Sequence, residues 1–419
     1  MKRYIFLLLV FITLRSIAQK ALVYDDMVYR PEIKSVQFSV VGKESSFPVI
    51  NLRSGEQVML AFDDLRGNTR NYNYTIEHCD AEWNSSNLSP SQYLQSFNED
   101  RLTEYRYSSA TRQKYVHYEL VLPNQTIAPK IAGNYLLKVY ENSDQDNPII
   151  TRRLYVLGNR VSTFAEIIPS PNTALRETNQ KINFTLDYAG LNVQNPYTDL
   201  RTFIMQNARP ETRTLSNKPS QIRGTQLVYN DVTTNDFPGG NEFRHFDTRS
   251  LLTNSERIGH IYRDTVNTVI LLTDYNRDKP GYTFEYDNDG KFFINTQDSR
   301  DARTEADYAH VYFNLATNKT IRDGTPYIVG QFNNWRIDAN SKLRYDGGRF
   351  YTDLFLKQGV YDYAYVWVDT VNNPDYTLLE GNHFETENDY QLLVYYRPVG
   401  ARWDELVGYR LLNNGLNKR

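Results

Sequence analysis

The chain has 419 residues, and its 47 Lys and Arg stand against 50 Asp and Glu, a formal net charge of −3. A balance this even argues against a general nucleic-acid binder, which needs clustered positive charge to displace phosphate counterions. Thirty-three Tyr beside four Met and one Cys favour strands, whose half-buried faces suit aromatic rings, and disfavour helical bundles and helix-rich enzymes. The length suggests two or three domains at about 150 residues each.

Residues 1–18 have the order of a secretory signal peptide. Lys2 and Arg3 precede an apolar run from residue 4 to 14, and Ser16-Ile17-Ala18 offers a small-residue cleavage site. The run is too short to cross a membrane, which takes about 20 residues. We expect cleavage after Ala18. No Cys follows for a lipid anchor, and later apolar runs are short, so we expect an exported, soluble protein.

Three blocks of alternating apolar and polar residues predict strands along the mature chain. In the first block, 19–158, Tyr72, Tyr74 and Ile76 share one face of a strand. In the second, 159–301, residues 181–188 alternate most clearly, and 192–260 is rich in Asn, Thr and Arg. In the third, 302–419, residues 311–315 alternate. The prediction is an all-β chain of tandem immunoglobulin-like and early-set β-sandwiches, the middle one with long loops.

A hairpin is predicted inside the second block. Residues 282–286 and 291–295 read as strands, and Asp287-Asn288-Asp289-Gly290 between them is a strong turn signal.

The single cysteine allows two interpretations. Cys79 stands beside His78, which suggests a nucleophile and its base, but neighbours on a strand point to opposite faces. A buried structural thiol fits better.

Other signals of catalysis or metal binding are weak. The six histidines form no zinc-type spacing, and no Gly-x-Ser-x-Gly motif occurs. Asp274, Asn276, Asp278 and Glu285 match positions of a calcium loop, but Lys279-Pro280 replaces the glycine turn. We predict no catalytic residue, no metal and no cofactor.

The third block resembles glycogen-binding, early-set modules through residues 330–335 (GQFNNW) and 359–369 (GVYDYAYVWVD). The resemblance implies that Trp335 matches a tryptophan on which a sugar stacks. The module's lysine and second tryptophan correspond to Ala364 and Asn372, so two of three sugar contacts are missing. Trp335 is therefore the candidate glycan-binding residue. The alternative is that this block keeps the fold of the module but has lost its sugar site.

Three segments resemble the plug protein family of the type IX secretion system of Bacteroidetes. They are 72–83 (YNYTIEHCDAEW, continuing to Tyr93-Leu94), 132–140 (AGNYLLKVY) and 380–390 (EGNHFETENDY, running on to Arg397). The resemblance spans nearly all of the mature chain.

The resemblance implies a periplasmic protein without enzymatic activity, at the inner face of the outer membrane. Its partner would be the large outer-membrane β-barrel translocon, whose periplasmic mouth it closes reversibly while no substrate passes; membrane contact would come only through that partner. A carbohydrate-binding module is the alternative function. A hydrolase is a third hypothesis, supported only by carboxylates whose relative positions the sequence does not give. The tail from Leu411 to Arg419 does not look like the C-terminal signal of secreted cargo. Loops near 205–250 are the candidate partner contacts, although they equally fit solvated connections.

Overall fold

The computed structural model describes residues 22–415. The predicted signal peptide, 1–18, and the last four residues of the tail lie outside the described residues. Within 22–415 the regular secondary structure is nearly all strand, as predicted, and the chain forms three packed units. We define the first unit as residues 22–157, the second as 158–240 with 385–415, and the third as 241–384.

The first unit is a sandwich of two sheets around one apolar core, in which Tyr72, Tyr74 and Ile76 are buried on one face as predicted. Its strands and helix are β1 Met27–Val28, β2 Ile33–Val40, β3 Val49–Asn51, β4 Val58–Asp64, β5 Tyr72–Cys79, α1 Pro90–Tyr93, β6 Asp100–Arg101, β7 Tyr105–Tyr107, β8 Val116–Leu122, β9 Gly133–Glu141 and β10 Pro148–Leu157. One sheet has the order β2-β4-β8-β7, and the other contains β10-β9-β5-β6.

The second unit begins with an antiparallel pair. Ile182, Phe184 and Leu186 turn inward from its long strand. The elements of this stretch are β11 Ser162–Pro169, β12 Asn179–Asp187, α2 Pro196–Asp199, β13 Leu200–Gln206, a 3₁₀ turn Pro210–Thr212, β14 Thr214–Ser216, β15 Gln221–Arg223, β16 Gln226–Tyr229 and β17 Asp236–Pro238. Strands β11-β12-β16-β15 form one sheet, and β17 also pairs with β12.

The third unit is a sandwich built around the eleven-residue strand 359–369. Val311, Phe313 and Leu315 of the predicted alternation are buried in its core. Its elements are β18 Arg244–Asp247, β19 Ile258–Arg263, β20 Asn267–Leu271, β21 Asp274–Tyr275, β22 Phe292–Ile294, α3 Ala302–Glu305, β23 Tyr308–Ala316, β24 Gly324–Val329, a 3₁₀ turn Gln331–Asn333, β25 Arg344–Asp346, β26 Arg349–Lys357, β27 Gly359–Asp369 and β28 Pro374–Asp375.

The closing strands, β29 Asp389–Tyr396 and β30 Glu405–Asn413, return to the second unit. Strand β29 pairs with β13, and its Leu392 and Val394 lie in the same core as Phe184. Strand β30 bridges to β10 at Leu157 and Leu406, so one ten-stranded sheet runs from the first unit into the second. The predicted ranges 159–301 and 302–419 therefore exchange strands, and the third unit is inserted into the second.

The predicted hairpin around residues 287–290 is wrong in its first arm. Residues 282–286 form no strand, whereas Phe292–Ile294 pairs with β27. The reason is Asp362, a buried carboxylate of β27 that accepts hydrogen bonds from the main-chain N–H groups of Asn288 and Gly290. The turn sequence folds over this carboxylate instead of joining two strands.

No helix within residues 22–415 is long and apolar enough to cross a membrane.

Candidate functional site

Two of the segments that carry the family resemblance, 72–83 and 132–140, meet the continuation of the third, residues 395–397, where the first and second units join. Strands β5 and β9 pair, which places His78 opposite Tyr135 and Cys79 opposite Asn134. Asn134 donates to the carbonyl of Asp80 at 2.9 Å and accepts from the hydroxyl of Tyr395 at 2.8 Å. The resemblance therefore falls on an inter-unit joint.

Asp404, which precedes β30, is the electrostatic centre of that joint. Its side chain is 1% exposed and accepts from the main-chain N–H of Ala81 at 2.9 Å and from Arg397 Nε at 2.8 Å. Arg397 Nη2 and Arg201 add two further hydrogen bonds, at 2.9 and 2.5 Å. Burial alone would raise the pKa of Asp404, but these hydrogen bonds and charges lower it. The carboxylate therefore stays ionised and ties strand ends of the second unit to the family motif of the first.

His78 and Cys79 lie on opposite faces of β5 and do not form a catalytic pair. His78 packs edge-on to Tyr135, with ring centroids 5.1 Å apart, whereas Cys79 belongs to the apolar cluster with Trp83 and Tyr155. Burial lowers the pKa of His78 to about 4 and raises the pKa of the Cys79 thiol. A neutral ring and a protonated thiol fit structural packing, as the spacing predicts.

The first and third units are joined by a buried ionic cluster. Lys357 of β26 lies 2.7 Å from the Asp63 carboxylate of β4, with 1% and 0% of the side chains exposed. His117 Nδ1 lies 2.6 Å from the same carboxylate, and the Tyr308 hydroxyl donates to it at 2.7 Å. Burial alone would lower the pKa of His117, but hydrogen bonds to Asp63 and Glu119 raise it. No local sequence pattern signals this cluster, because its members come from distant strands.

Trp335 takes part in packing between the second and third units. The residue is 8% exposed, its ring centroid lies 5.5 Å from that of Phe243, and the Arg209 guanidinium lies 5.1 Å from the ring. A stacked sugar needs an open aromatic face, and both groups restrict this one.

Two of the four residues that match the calcium loop form ion pairs with arginines of the chain itself. Asp274 is 2% exposed and binds Arg244 at 3.1 Å and Arg257 at 2.7 Å, whereas Glu285 pairs with Arg277 at 3.1 Å. In the described part of the chain, no group of three or more His, Cys, Asp and Glu side chains is arranged to hold a metal ion.

The predicted contact region, 205–250, is mixed in exposure. Asn207, Arg209 and Phe237 are buried, whereas Leu215 and Val232 are exposed. Its role in binding a partner stays a prediction.

Comparisons with known proteins agree with this architecture. A family model described as the type 9 secretion system plug protein 1st domain matches residues 33–158, which lie almost entirely in the first unit. The crystal structure of a hypothetical protein from Parabacteroides merdae ATCC 43184 matches with a TM-score of 0.89 and 33% sequence identity, over 94% of this chain and 100% of that chain. No curated protein matches.

By its fold and its joints this is a tandem β-sandwich protein whose units pack against one another. The chain belongs to the type 9 secretion system plug protein family.

Proposed function

We propose that this protein is a periplasmic plug that reversibly closes the periplasmic mouth of the type IX outer-membrane translocon. The supporting observation is that the first unit, which carries the family match, is linked to both other units, and these are linked to each other. Asp404 ties the first unit to the second, Lys357 ties the third to the first, and Lys291 reaches Asp389 across the third and second at 3.1 Å.

Links between all three units suit a plug, because a protein that blocks a channel must keep its shape when it contacts the channel wall. A wide barrel with a polar interior leaks small molecules unless something fills it. A buried interface of at least about 1,200 Å² in total is enough for specific yet displaceable binding. Occupancy then falls when a substrate or another subunit makes more favourable contacts with the same mouth.

No chemical step is required of this protein. The family and the all-β fold support a non-enzymatic role, and the buried carboxylates Asp404 and Asp63 are engaged in joints between units. The carbohydrate-binding alternative has no comparable support, because the Trp335 ring is packed.

The test compares cells that express the translocon with and without this protein. Uptake of a bulky antibiotic excluded by the outer membrane should rise when the protein is absent, and a strain lacking the translocon is the control that shows the leak runs through it. Equal uptake in the first two strains would refute the gating role. Recovery of the barrel with the tagged protein from outer-membrane extracts tests the partner, and protease shaving of intact cells tests the periplasmic location.

A further inference from the structure

A cleft of about 650 Å³ lies where the three units meet. Val36 to Val40 of β2 in the first unit line the cleft, and so do residues 284–289 of the third. The second unit contributes Asp389 and Leu411. The cleft is separate from the Asp404 joint and from the Asp63–Lys357 cluster.

Strand β2 presents its free edge to this cleft. It is the end strand of its sheet and pairs only with β4. Five consecutive residues, 36–40, line the cleft; because successive side chains point to opposite faces, the cleft must run along the strand's edge. Among residues 22–415, the outward main-chain contacts of this stretch are at Val40, whose N–H donates to Ser46 Oγ and whose carbonyl accepts from Lys43 N–H. The edge beside Phe38 is open to a further strand.

The wall that the third unit contributes also offers unpaired backbone. No main-chain group of residues 278–286 makes a hydrogen bond within the described part of the chain. Phe284 and Tyr286 are 57% and 66% exposed. The chain on either side of this segment is nonetheless fixed. Arg277 forms an ion pair with Glu380 at 3.0 Å, and the main-chain N–H of Gly290 donates to Asp362 at 3.2 Å. This wall is a tethered segment with strand-like alternation but no strand partner.

The dimensions of the cleft fit one extended polypeptide. Five residues of β2 run about 17 Å at about 3.4 Å each, so the volume corresponds to a cross-section of about 38 Å². A strand within stacked sheets occupies about 4.8 Å by about 10 Å, or about 48 Å². The space is therefore the size of a single strand, too narrow for a helix about 10 Å across.

The excess of acidic side chains in the cleft indicates that a strand bound there would be basic. Nine acidic and four basic side chains line it, and the acidic ones include Asp25, Glu44, Glu242, Glu285, Asp289 and Asp389. Burial and the charge of Asp362 raise the pKa of Asp287 to about 8, and burial and the charge of Asp389 raise the pKa of Asp289 to about 7. Carboxyls behave in this way when they are crowded and have too few cationic partners.

We propose that this cleft binds an extended, basic segment of a partner protein, which adds to the free edge of β2 and places Lys or Arg side chains against the carboxylates. Apolar side chains on the other face of that segment would meet Phe284 and Tyr286. Main-chain pairing supplies affinity, and alternate side chains supply specificity. This binding site goes beyond the proposed function, because it concerns a second kind of contact that can be measured on the isolated chain without a translocon.

The probe is an acetylated, amidated octapeptide of alternating Lys and Val, titrated into the mature full chain by fluorescence anisotropy in low salt. We expect binding that an octapeptide of alternating Glu and Val does not show, and that methylation of the probe's backbone nitrogens abolishes. Hydrogen exchange should slow at Phe38 when the probe binds. Equal binding of both peptides, or no change at Phe38, would overturn the proposal.

Charge reversal on the exposed rim supplies the matched variants. Glu44→Lys combined with Glu285→Lys should weaken binding of the probe about tenfold or more, whereas Glu166→Lys combined with Glu177→Lys, two exposed changes outside the cleft with the same change in net charge, should not. Equal losses in both would assign the effect to net charge and refute the site. The other possible occupant of the cleft is the protein's own basic tail, which a chain ending at Gly415 lacks. If only this shortened chain binds the probe, the tail fills the cleft and the assignment to a partner is wrong.

Discussion

Lys357 and Asp63 form an ion pair of 2.7 Å between two units, although 294 residues separate them in the chain. Neither charge reaches water, so the pair depends on its neighbours. The Tyr308 hydroxyl and the His117 ring share the same carboxylate, and Lys357 Nζ also donates to the carbonyl of Arg303 at 3.0 Å. A buried pair of this kind contributes little net stability against an apolar replacement, but it is costly to break from one side.

We therefore expect Lys357→Met to destabilise the protein. The substitution leaves Asp63 buried with His117 as its remaining cationic partner, which places the loss at about 3 kcal/mol, the low end for a broken buried pair. Urea unfolding measures it. Arg344→Met is the matched control, because Arg344 pairs with Asp353 at 3.3 Å but is 63% exposed; it should change stability by at most about 0.5 kcal/mol. Equal effects of the two substitutions would contradict the importance of burial.

The same cluster predicts a pH dependence with a definite sign. The pKa of His117 is raised in the folded protein, so the folded state binds the proton more tightly than the unfolded state does. The resulting stabilisation is complete below the ordinary histidine pKa of about 6.5 and is lost as pH rises through the raised value. Unfolding free energies from pH 5.5 to 8.5 should fall more steeply for the natural protein than for His117→Gln.

His310 provides the comparison for that experiment. It also contacts an aspartate through Nδ1, Asp353 at 2.9 Å, but its side chain is 41% exposed and the pair lies within one unit. We expect His310→Gln to retain the pH dependence of the natural protein. If His117→Gln and the natural protein gave parallel curves, the cluster would not be the source of the effect.

Gly133, in the family-like segment 132–140, is predicted to tolerate no side chain. Its φ is +144°, and a Cβ there would lie 2.3 Å from His78 Nε2 and 2.9 Å from the Asp404 carbonyl oxygen. Gly133→Ala should cost at least about 2 kcal/mol in thermal or urea unfolding. Gly224→Ala is the control, since Gly224 has φ +62° but open space around it, and only the backbone cost of about 1 kcal/mol applies.

Trp335→Ala separates packing from glycan binding. Removing a ring in contact with Phe243 and Arg209 should cost about 3 kcal/mol in unfolding free energy, whereas Phe97→Ala, at a side chain that is 65% exposed, should cost little. On a glycan array we expect no signal that depends on Trp335. A glycan retained by the natural protein and lost in a folded Trp335→Ala variant would restore the carbohydrate-binding alternative.

The predicted strands and the unpredicted joints differ for a physical reason. Alternation at Tyr72, Tyr74 and Ile76 reports which face a strand buries, and that is a local property of the sequence. It does not report the partner: residues 282–286 alternate as well, yet β27 is paired by other strands and its Asp362 draws the turn away. The family-like segments were identifiable by their residues, but their meeting at Asp404 depends on pairing across the whole chain.

The return of the chain to its second unit has a consequence for synthesis. Strands β29 and β30 supply Tyr390, Leu392, Val394 and Val407 to a core begun more than 200 residues earlier by β11 and β12. A nascent chain that stops before residue 389 leaves an apolar sheet face exposed and lacks Asp404, which links the first and second units. We therefore expect the second unit to form only when the chain is complete through β30, and shortened products to aggregate or be degraded through their exposed apolar surface.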